Sequence, residues 1–530
     1  MGAVSAVAEQ ESPWGESDST IGQLLRERAE RDGDFVYCRH SGGQLTIAQL
    51  EQLSNRIANA LEERGVGPGS RVATMLGNSI DHIGLFLALA MRGACQIPIN
   101  IHLRGDGLAY ILRSCECDCL IAESDLAEIL SPIISELSIQ NVYWRGSSET
   151  TDADFAALTN HQDTSARPVA VDPNALIYIC YTSGTTGLPK GVMLTDKMLR
   201  VAAWAAGRAG DPQDGAVYHF WTPFYHIGGC EMLILALQRR VTLALVPKFS
   251  VSRFWDEVRE FKATHMQFLG GVLALLLKQP ESSRDHDHHL RVAFGGGCPE
   301  PIWRAFQERF GVAIRECYGL TECSSFATQN LTGKVGSVGR ALPWLEVTLV
   351  DDEGEEVQTG ERGEIWIRER VPGVLTQGYW RNPEATKATL VEGTLRTGDL
   401  ARCDAEGDIV YLGRKKDSLR RRGENIAAFE VERILNQHPD VEESAVIGVP
   451  NEIQDEDIKA VLRLREGASL DPLSLIKWCE GRMAYFQIPR FVAFVEEFPR
   501  TPSQRIRKEA LARDVADSWD LEKSDHTLRR

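Results

Sequence analysis

Short apolar runs alternate with amphipathic stretches through most of the chain. SRVATML followed by HIGLFLALAMRG reads as strand, turn and helix. GACQIPI, CDCLIAE, RVTLALV, HMQFLGG and LRVAFGGG repeat the strand signal, with helical stretches such as PEPIWRAFQERFG between them. Near-continuous apolar runs mark strands buried on both faces, and their alternation with helices predicts a mainly parallel, layered α/β sheet. Residues 20–65 read as helical patterns around a short strand pair. After VGSVGR, Val335 to Arg340, the texture changes. LEVTLVDDEGEEV, RGEIWIRE and GDIVYLGR are short strands joined by Gly and acidic turns, which predicts a small β-rich lobe. A compact α+β tail follows from Lys416. The expected division is therefore a large layered α/β domain over 1–415, with parallel sheets and the β-rich lobe, and a smaller α+β domain over 416–530.

Charge narrows the partners. The net charge is −17 over 530 residues, which argues against nucleic acid or an anionic membrane as a general partner. A negatively charged substrate would need local basic residues. MGAVSAVAEQESPWGESDST has neither a basic stretch nor a long apolar core, so it does not read as a signal peptide, and Ala6 breaks the myristoylation pattern. The run IGLFLALAMRGA is interrupted at Arg92, short of a membrane span. The expected home is the cytoplasm, and the 12 cysteines are expected to be thiols. SCECDC, with Cys115, Cys117 and Cys119 at alternate positions, reads as one strand face rather than a zinc site. RDHDHHL reads as a solvated loop.

The stretch YTSGTTGLPKG, Tyr181 to Gly191, follows the apolar run ALIYIC. A Ser/Thr/Gly loop after a buried strand can turn backbone N–H groups and hydroxyls onto an anion, and Lys190 adds charge. The spacing differs from GxxxxGK[ST], and no Ser or Thr follows the lysine, so this is not a nucleotide-triphosphatase P-loop.

Seven further segments stand in order: PFYHIGG, AFGGGCPE, YGLTE, GSVGR, RTGDL, GRKKDSLRRRGENIAAFEVE and IPRFVAFVEEFPRTPSQRIRK. With the first they resemble the adenylate-forming superfamily of acyl-CoA synthetases, peptide-synthetase adenylation domains and luciferases, over roughly residues 45–511, and the tail and lobe proportions resemble the carnitine/crotonobetaine-type CoA ligases more than the peptide-synthetase domains. The resemblance implies ATP, Mg²⁺ and CoA. A carboxylic acid and ATP give an acyl-adenylate, a thiol then attacks the acyl carbon, and AMP leaves. Thr182, Ser183, Gly184, Thr185, Thr186, Gly187 and Lys190 match the loop that holds the β- and γ-phosphates. Gly295, Gly296 and Gly297 fall in the nucleotide-binding AFGGG segment. Tyr318 and Gly319 match the adenine face, Thr321 the α-phosphate contact and Glu322 the Mg²⁺ ligand. Asp399 and Arg414 match the ribose contacts. His226 matches a histidine beside the reacting carboxylate and the thiol channel. Lys416 matches the hinge about which a mobile C-terminal domain rotates. Gly423 matches the glycine that lets the pantetheine arm pass, and Arg420, Arg421 and Arg422 beside it could meet CoA phosphates.

One dipeptide departs from the pattern. A glycine and then the lysine that bridges carboxylate and α-phosphate normally close the tail; here Gln504 and Arg505 stand in their places. Either Arg505 serves, or the first half-reaction is impaired and the protein takes acyl-adenylate from a separate adenylating enzyme, as non-adenylating CoA ligases of platensimycin-type diterpenoid pathways do. Gly270, Gly271 and Gly295–Gly297 among apolar residues predict a roomy pocket for a bulky apolar acid. The expected function is acyl-CoA ligation; the alternatives are an amide-forming or carrier-loading adenylating enzyme, and a non-catalytic acyl-nucleotide binder.

Overall fold

The computed structural model describes residues 19–146, 155–182, 188–298, 300–414, 419–421, 424–426, 428–451, 455–499, 506 and 508–528. These build five sheets. The largest has nine strands. Its six central ones, Val36–His40, Thr242–Leu245, Val217–Phe220, His265–Leu269, Val292–Gly296 and Ala313–Tyr318, run parallel. A six-stranded sheet carries Arg71–Met75, Cys95–Pro98, Cys119–Glu123, Asn141–Arg145 and Leu176–Thr182 in parallel, with Lys190–Thr195 turned back along its edge.

The helix Ile227–Gln238 is apolar nearly all round, as a helix sandwiched between layers must be, and Asp196–Gly210 beside it is buried along most of its length, with Asp196 and Arg200 paired in the interior. Leu199, Val201, Leu233 and Leu235 are completely buried and share one core with Tyr178 of the six-stranded sheet and Tyr218 of the nine-stranded sheet. Each such side chain contributes about 1.5–3 kcal/mol by leaving water. The same core extends through Leu345, Ile365 and Leu395 into a five-stranded antiparallel lobe, whose strands include Arg362–Glu369, Thr394–Cys403 and Ile409–Arg414.

The C-terminal part has its own core, in which Val431, Leu435, Ile458, Leu462 and Leu475 pack together. Its four-stranded sheet orders Val441–Pro450, Glu456–Leu464, Phe491–Phe494 and Trp519–Asp520, and the hairpin Leu419–Arg421/Glu424–Ile426 lies apart from it. Arg490 bonds Asp457 and Asp520 and so ties the last strand down.

The cysteine-rich segment differs from expectation. Cys115 ends the helix Gly105–Cys115, Glu116 takes a left-handed cap (φ 47°), and only Cys119 opens the strand. Alternation over five residues cannot distinguish a helix end running into a strand from a strand face. All 12 cysteines are free. In RDHDHHL, His288 stacks on Trp255 with centroids 4.9 Å apart, and Asp285 pairs with Arg309 at 2.8 Å, so the run is partly packed. No helix among the described residues is long and apolar enough to cross a membrane.

Candidate active site

The first wall is built by strand register. Asp399 lies on Thr394–Cys403 directly opposite Arg414 on Ile409–Arg414. Tyr318, the last residue of Ala313–Tyr318, donates from its hydroxyl to Asp399 Oδ2 at 2.8 Å. Tyr411 donates to Asp399 Oδ1 at 3.3 Å, and its ring stacks on that of Tyr318 at 5.6 Å. A buried carboxylate thus receives two hydroxyls on its two oxygens, the pattern that a sugar diol also presents. Tyr411 was not expected. Its signal is its place three residues before Arg414, on the strand facing Asp399.

The second wall starts from the hairpin Leu176–Thr182/Lys190–Thr195, where Thr182 pairs with Lys190. Ser183, Gly184, Thr185, Thr186 and Gly187 lie outside the described residues. The Lys190 ammonium sits over the Tyr379 ring, 5.1 Å from its centroid, and the Tyr379 hydroxyl donates to Glu322 Oε1 at 2.8 Å. Glu322 is buried in the turn Thr321–Cys323, which Gly319 and Thr321 lead into. Its backbone carbonyl accepts from the Thr376 N–H at 2.8 Å. The loop lysine and the acidic residue are therefore joined through one tyrosine. Oε2, not used by Tyr379, is a hard oxygen of the kind Mg²⁺ takes. One such oxygen would suit an ion that keeps most of its waters.

His226 caps the N-terminus of Ile227–Gln238. Its Nε2 lies 3.3 Å from Glu424 Oε2, at the start of Glu424–Ile426 in the C-terminal part. Burial alone would lower the histidine pKa, but the charge of Glu424 and its hydrogen bond outweigh that and raise it. Glu424 was not singled out from sequence, although it follows Gly423. Lys416, Gly423 and Arg505 lie outside the described residues. The two parts also meet where Gln437 donates to Asp106 at 2.9 Å and where His102 meets Tyr485 edge-on at 5.0 Å. A junction cavity of about 560 Å³ is lined by His102, Arg104, Lys477, Glu480 and His526 among others, with His526 Nε2 3.2 Å from Glu480 Oε2.

Two expectations are corrected. Arg421 is buried and bonds to Asp457 at 3.0 Å and to the carbonyl of Ile488 at 2.6 Å, so it pins the C-terminal fold and does not face a ligand phosphate. Gly295 and Gly296 do not leave open volume. A Cβ on Gly295 would lie 1.9 Å from the carbonyl oxygen of Phe268, and one on Gly296 would lie 2.9 Å from that of Cys317. They let adjacent strands close up, and the Gly297 N–H is held by Glu316 at 2.8 Å. Nor are the surroundings wholly apolar: Thr222, Gln267 and Glu231 form a buried polar chain nearby.

Residues 25–380 match the family described as AMP-binding enzyme, and residues 430–505 match the AMP-binding enzyme C-terminal domain. A crotonobetaine/carnitine–CoA ligase of Escherichia coli O9:H4 (strain HS) is 32% identical over 521 residues, covering 92% of this chain and 99% of that one. The amide bond synthetase McbA from Marinactinospora thermotolerans superposes with a TM-score of 0.83 at 26% identity, over 93% of this chain and 98% of that one. The anthranilate CoA ligase AuaEII, solved with anthranoyl-AMP, superposes with a TM-score of 0.70 at 25% identity, over 92% and 95%.

Proposed function

Because the chain belongs to the AMP-binding enzyme family, we propose that it is an acid–thiol ligase that makes an acyl-CoA through an acyl-adenylate, with a weakened adenylation step. The carrying observation is the contact between His226 of the large domain and Glu424 of the C-terminal part at 3.3 Å. It brings Glu424 of the C-terminal part to the helix start where we read the acyl end, which supports a site suited to thioester formation.

Each residue then has a task. Asp399 would accept from the two ribose hydroxyls in place of the two tyrosines, with Arg414 across the ladder as its partner. Tyr318 would offer its ring to adenine. Lys190 and the loop before it would hold phosphate oxygens, and Thr321 the α-phosphate. Glu322 would hold Mg²⁺, which supplies charge neutralisation at the phosphates when bound. His226 would stand beside the path of the thiol, and its Glu424 partner would favour its charged form. Arg104 and Lys477 on the wall of the junction cavity would meet the phosphates of CoA. Lys416 would be the pivot, and Gly423 the close approach to the thiol arm.

The weakened step is read from Gln504 and Arg505. A planar guanidinium replaces a compact ammonium, and the glycine before it is lost. Losing one preorganised transition-state donor costs about 10²–10³ in rate. The acyl carbon is attacked after adenylation, so thioester formation need not suffer. In the test, one preparation receives either acid, ATP, Mg²⁺ and CoA, or preformed acyl-adenylate and CoA. The expected result is little pyrophosphate in the first case and rapid thioester in the second. Gln504→Gly with Arg505→Lys should restore part of the adenylation, by up to about 10²–10³. Equal rates from acid and from adenylate would make it an ordinary two-step ligase.

The likeness to an amide bond synthetase supports a second reading, in which an amine replaces the thiol. Acyl-adenylate given with amines in place of CoA separates the two: amide without thioester would favour it.

A further inference from the structure

A second cavity, of about 360 Å³, lies at the far end of the helix that His226 caps. That helix, Ile227–Gln238, rises about 18 Å from His226 to Gln238, which lines the cavity. The other walls come from the last turns of Ile21–Asp32 and from residues just before the parallel strands Val217–Phe220 and Thr242–Leu245. Parallel sheets bind ligands beyond the ends of their strands, and Tyr318 of the site described above ends its strand. This cavity lies at the opposite edge of the same sheet, where the strands begin.

Its charge runs against that of the chain. In a protein of net charge −17, Arg28, Arg31, Arg239 and Arg240 line it together with Asp32 and Asp214, four cations against two carboxylates. Arg28 is 2% exposed. Its Nε and Nη2 are buried and make no hydrogen bond among the described residues; Asp32 Oδ2 lies 3.4 Å from Nη2. That oxygen is shared, because Arg240 Nε is also 3.4 Å from it. Asp214 stands 3.9 Å from Arg240, and its side chain is 82% exposed, so water screens it. Phe35 holds two of the guanidinium groups in place, with Arg28 5.6 Å and Arg240 5.1 Å from its ring centroid. An aromatic face orients a cation without using its N–H donors. Arg31 and Arg239 are exposed, and neither guanidinium forms a hydrogen bond or ion pair among the described residues. A structural arginine in this fold looks different: Arg309 spends its donors on Asp285 and on the carbonyls of Leu277, Gln279 and Pro280. The carbonyl ends of the two helices bring about half a negative charge each, which reduces the excess without cancelling it.

We propose that this cavity is an anion site, separate from the nucleotide site, that takes a compact dianion of the phosphate class, either free phosphate or the phosphoryl end of a small monoester. A tetrahedral phosphate presents acceptor oxygens to several planar guanidinium forks at once. Burial lowers the pKa of Arg28 against the pull of Asp32, and Arg31 and Arg240 add to the lowering. A bound anion relieves that mutual repulsion. It also ties Ile21–Asp32 to the end of Ile227–Gln238, and so stabilises the large domain as its concentration rises. The site is independent of the acyl-adenylate reading above.

The test is calorimetry on the full chain at low ionic strength, with inorganic phosphate, phenyl phosphate and chloride as separate titrants. Phosphate should bind at least about tenfold tighter than chloride, because it can accept from several forks. Arg31→Gln with Arg239→Gln should weaken phosphate at least about tenfold, while melting without phosphate stays as in the parent, since both side chains are exposed and unpaired among the described residues. Asp214→Asn removes an opposing charge and should tighten phosphate about two- to threefold, a gain that misfolding cannot imitate. Lys190→Ala, and Arg104→Ala with Lys477→Ala, should keep the binding, which separates this site from the phosphate loop and the junction cavity. Phenyl phosphate binding tighter than phosphate assigns the site to an esterified ligand, and the reverse order assigns it to the free ion. The inference is overturned if the parent binds no phosphate, if chloride binds as tightly, if the Arg31 and Arg239 variant keeps the parent's affinity, or if the binding disappears in Lys190→Ala or in the Arg104 and Lys477 variant instead.

Discussion

The wall around Asp399 and the junction between the two parts are held in different ways. At the wall, Asp399 is 2% exposed, and two tyrosine hydroxyls and a facing strand define its surroundings. At the junction, the His226 side chain is 34% exposed and the Glu424 side chain 21%, with a few polar contacts around them. The first region is set by β-ladder register and cannot shift without breaking a sheet. The second joins separate cores through contacts that water can replace at small cost. A binding surface that must stay constant is built the first way, and a surface that must form and part is built the second way.

The sharpest break in that contrast is at the wall. Asp399→Ala removes a charged acceptor for two hydroxyls and should weaken acyl-adenylate binding about 10²–10³-fold. Titration calorimetry reads this directly, and affinity within error of the parent would remove Asp399 from the site. Thioester chemistry on bound adenylate should change less.

The reverse pattern is expected at Gly105. This residue has φ +60°, and a Cβ there would stand 2.6 Å from the carbonyl oxygen of Arg482 across the junction. Gly105→Ala should disfavour this docking and slow thioester formation by about tenfold, through left-handed strain and the backbone clash. Adenylate affinity should be unchanged. A variant that loses affinity but keeps its thioester rate would reverse the assignment of the two regions.

The smallest effect concerns pH. The His226 pKa is raised in this arrangement, so the contact with Glu424 is fully present below the ordinary histidine value of 6.5 and is lost as pH rises through the higher docked value. The ratio of docked to undocked protein, followed by energy transfer between dyes on the two parts, should fall about two- to fivefold over that rise. Glu424→Gln should flatten the profile. A profile that is unchanged in that variant would assign the pH response to another group.

Much of the scaffold was legible beforehand, for a physical reason. Parallel strands covered on both faces must be apolar throughout, so SRVATML, GACQIPI and RVTLALV declared themselves. Asp399 and Arg414 could each be named as a ribose contact because they lie in recognisable segments, which the ladder then sets opposite each other. What stayed hidden depended on contacts between distant segments. Tyr379 reaches Glu322 across 57 residues, and Glu424 reaches His226 across 198. No local pattern reports such pairs. Gly295 misled because a missing side chain reads equally well as free space or as close approach, and only the neighbouring strand decides. Arg421 misled because a run of arginines looks solvated until one of them meets a buried aspartate.

The strand Trp519–Asp520 bears on how the protein keeps to itself. A sheet ending in a bare strand offers unpaired N–H and C=O groups to any extended chain that meets it. Phe491–Phe494 would be such an edge, and Phe494 is 43% exposed. Trp519–Asp520 pairs with its first half, at Phe491 and Val492, and the Arg490–Asp520 ion pair holds it there. Those few residues act as a guard against self-association, so that chains trimmed before Trp519 should aggregate on warming while their nucleotide site is still folded.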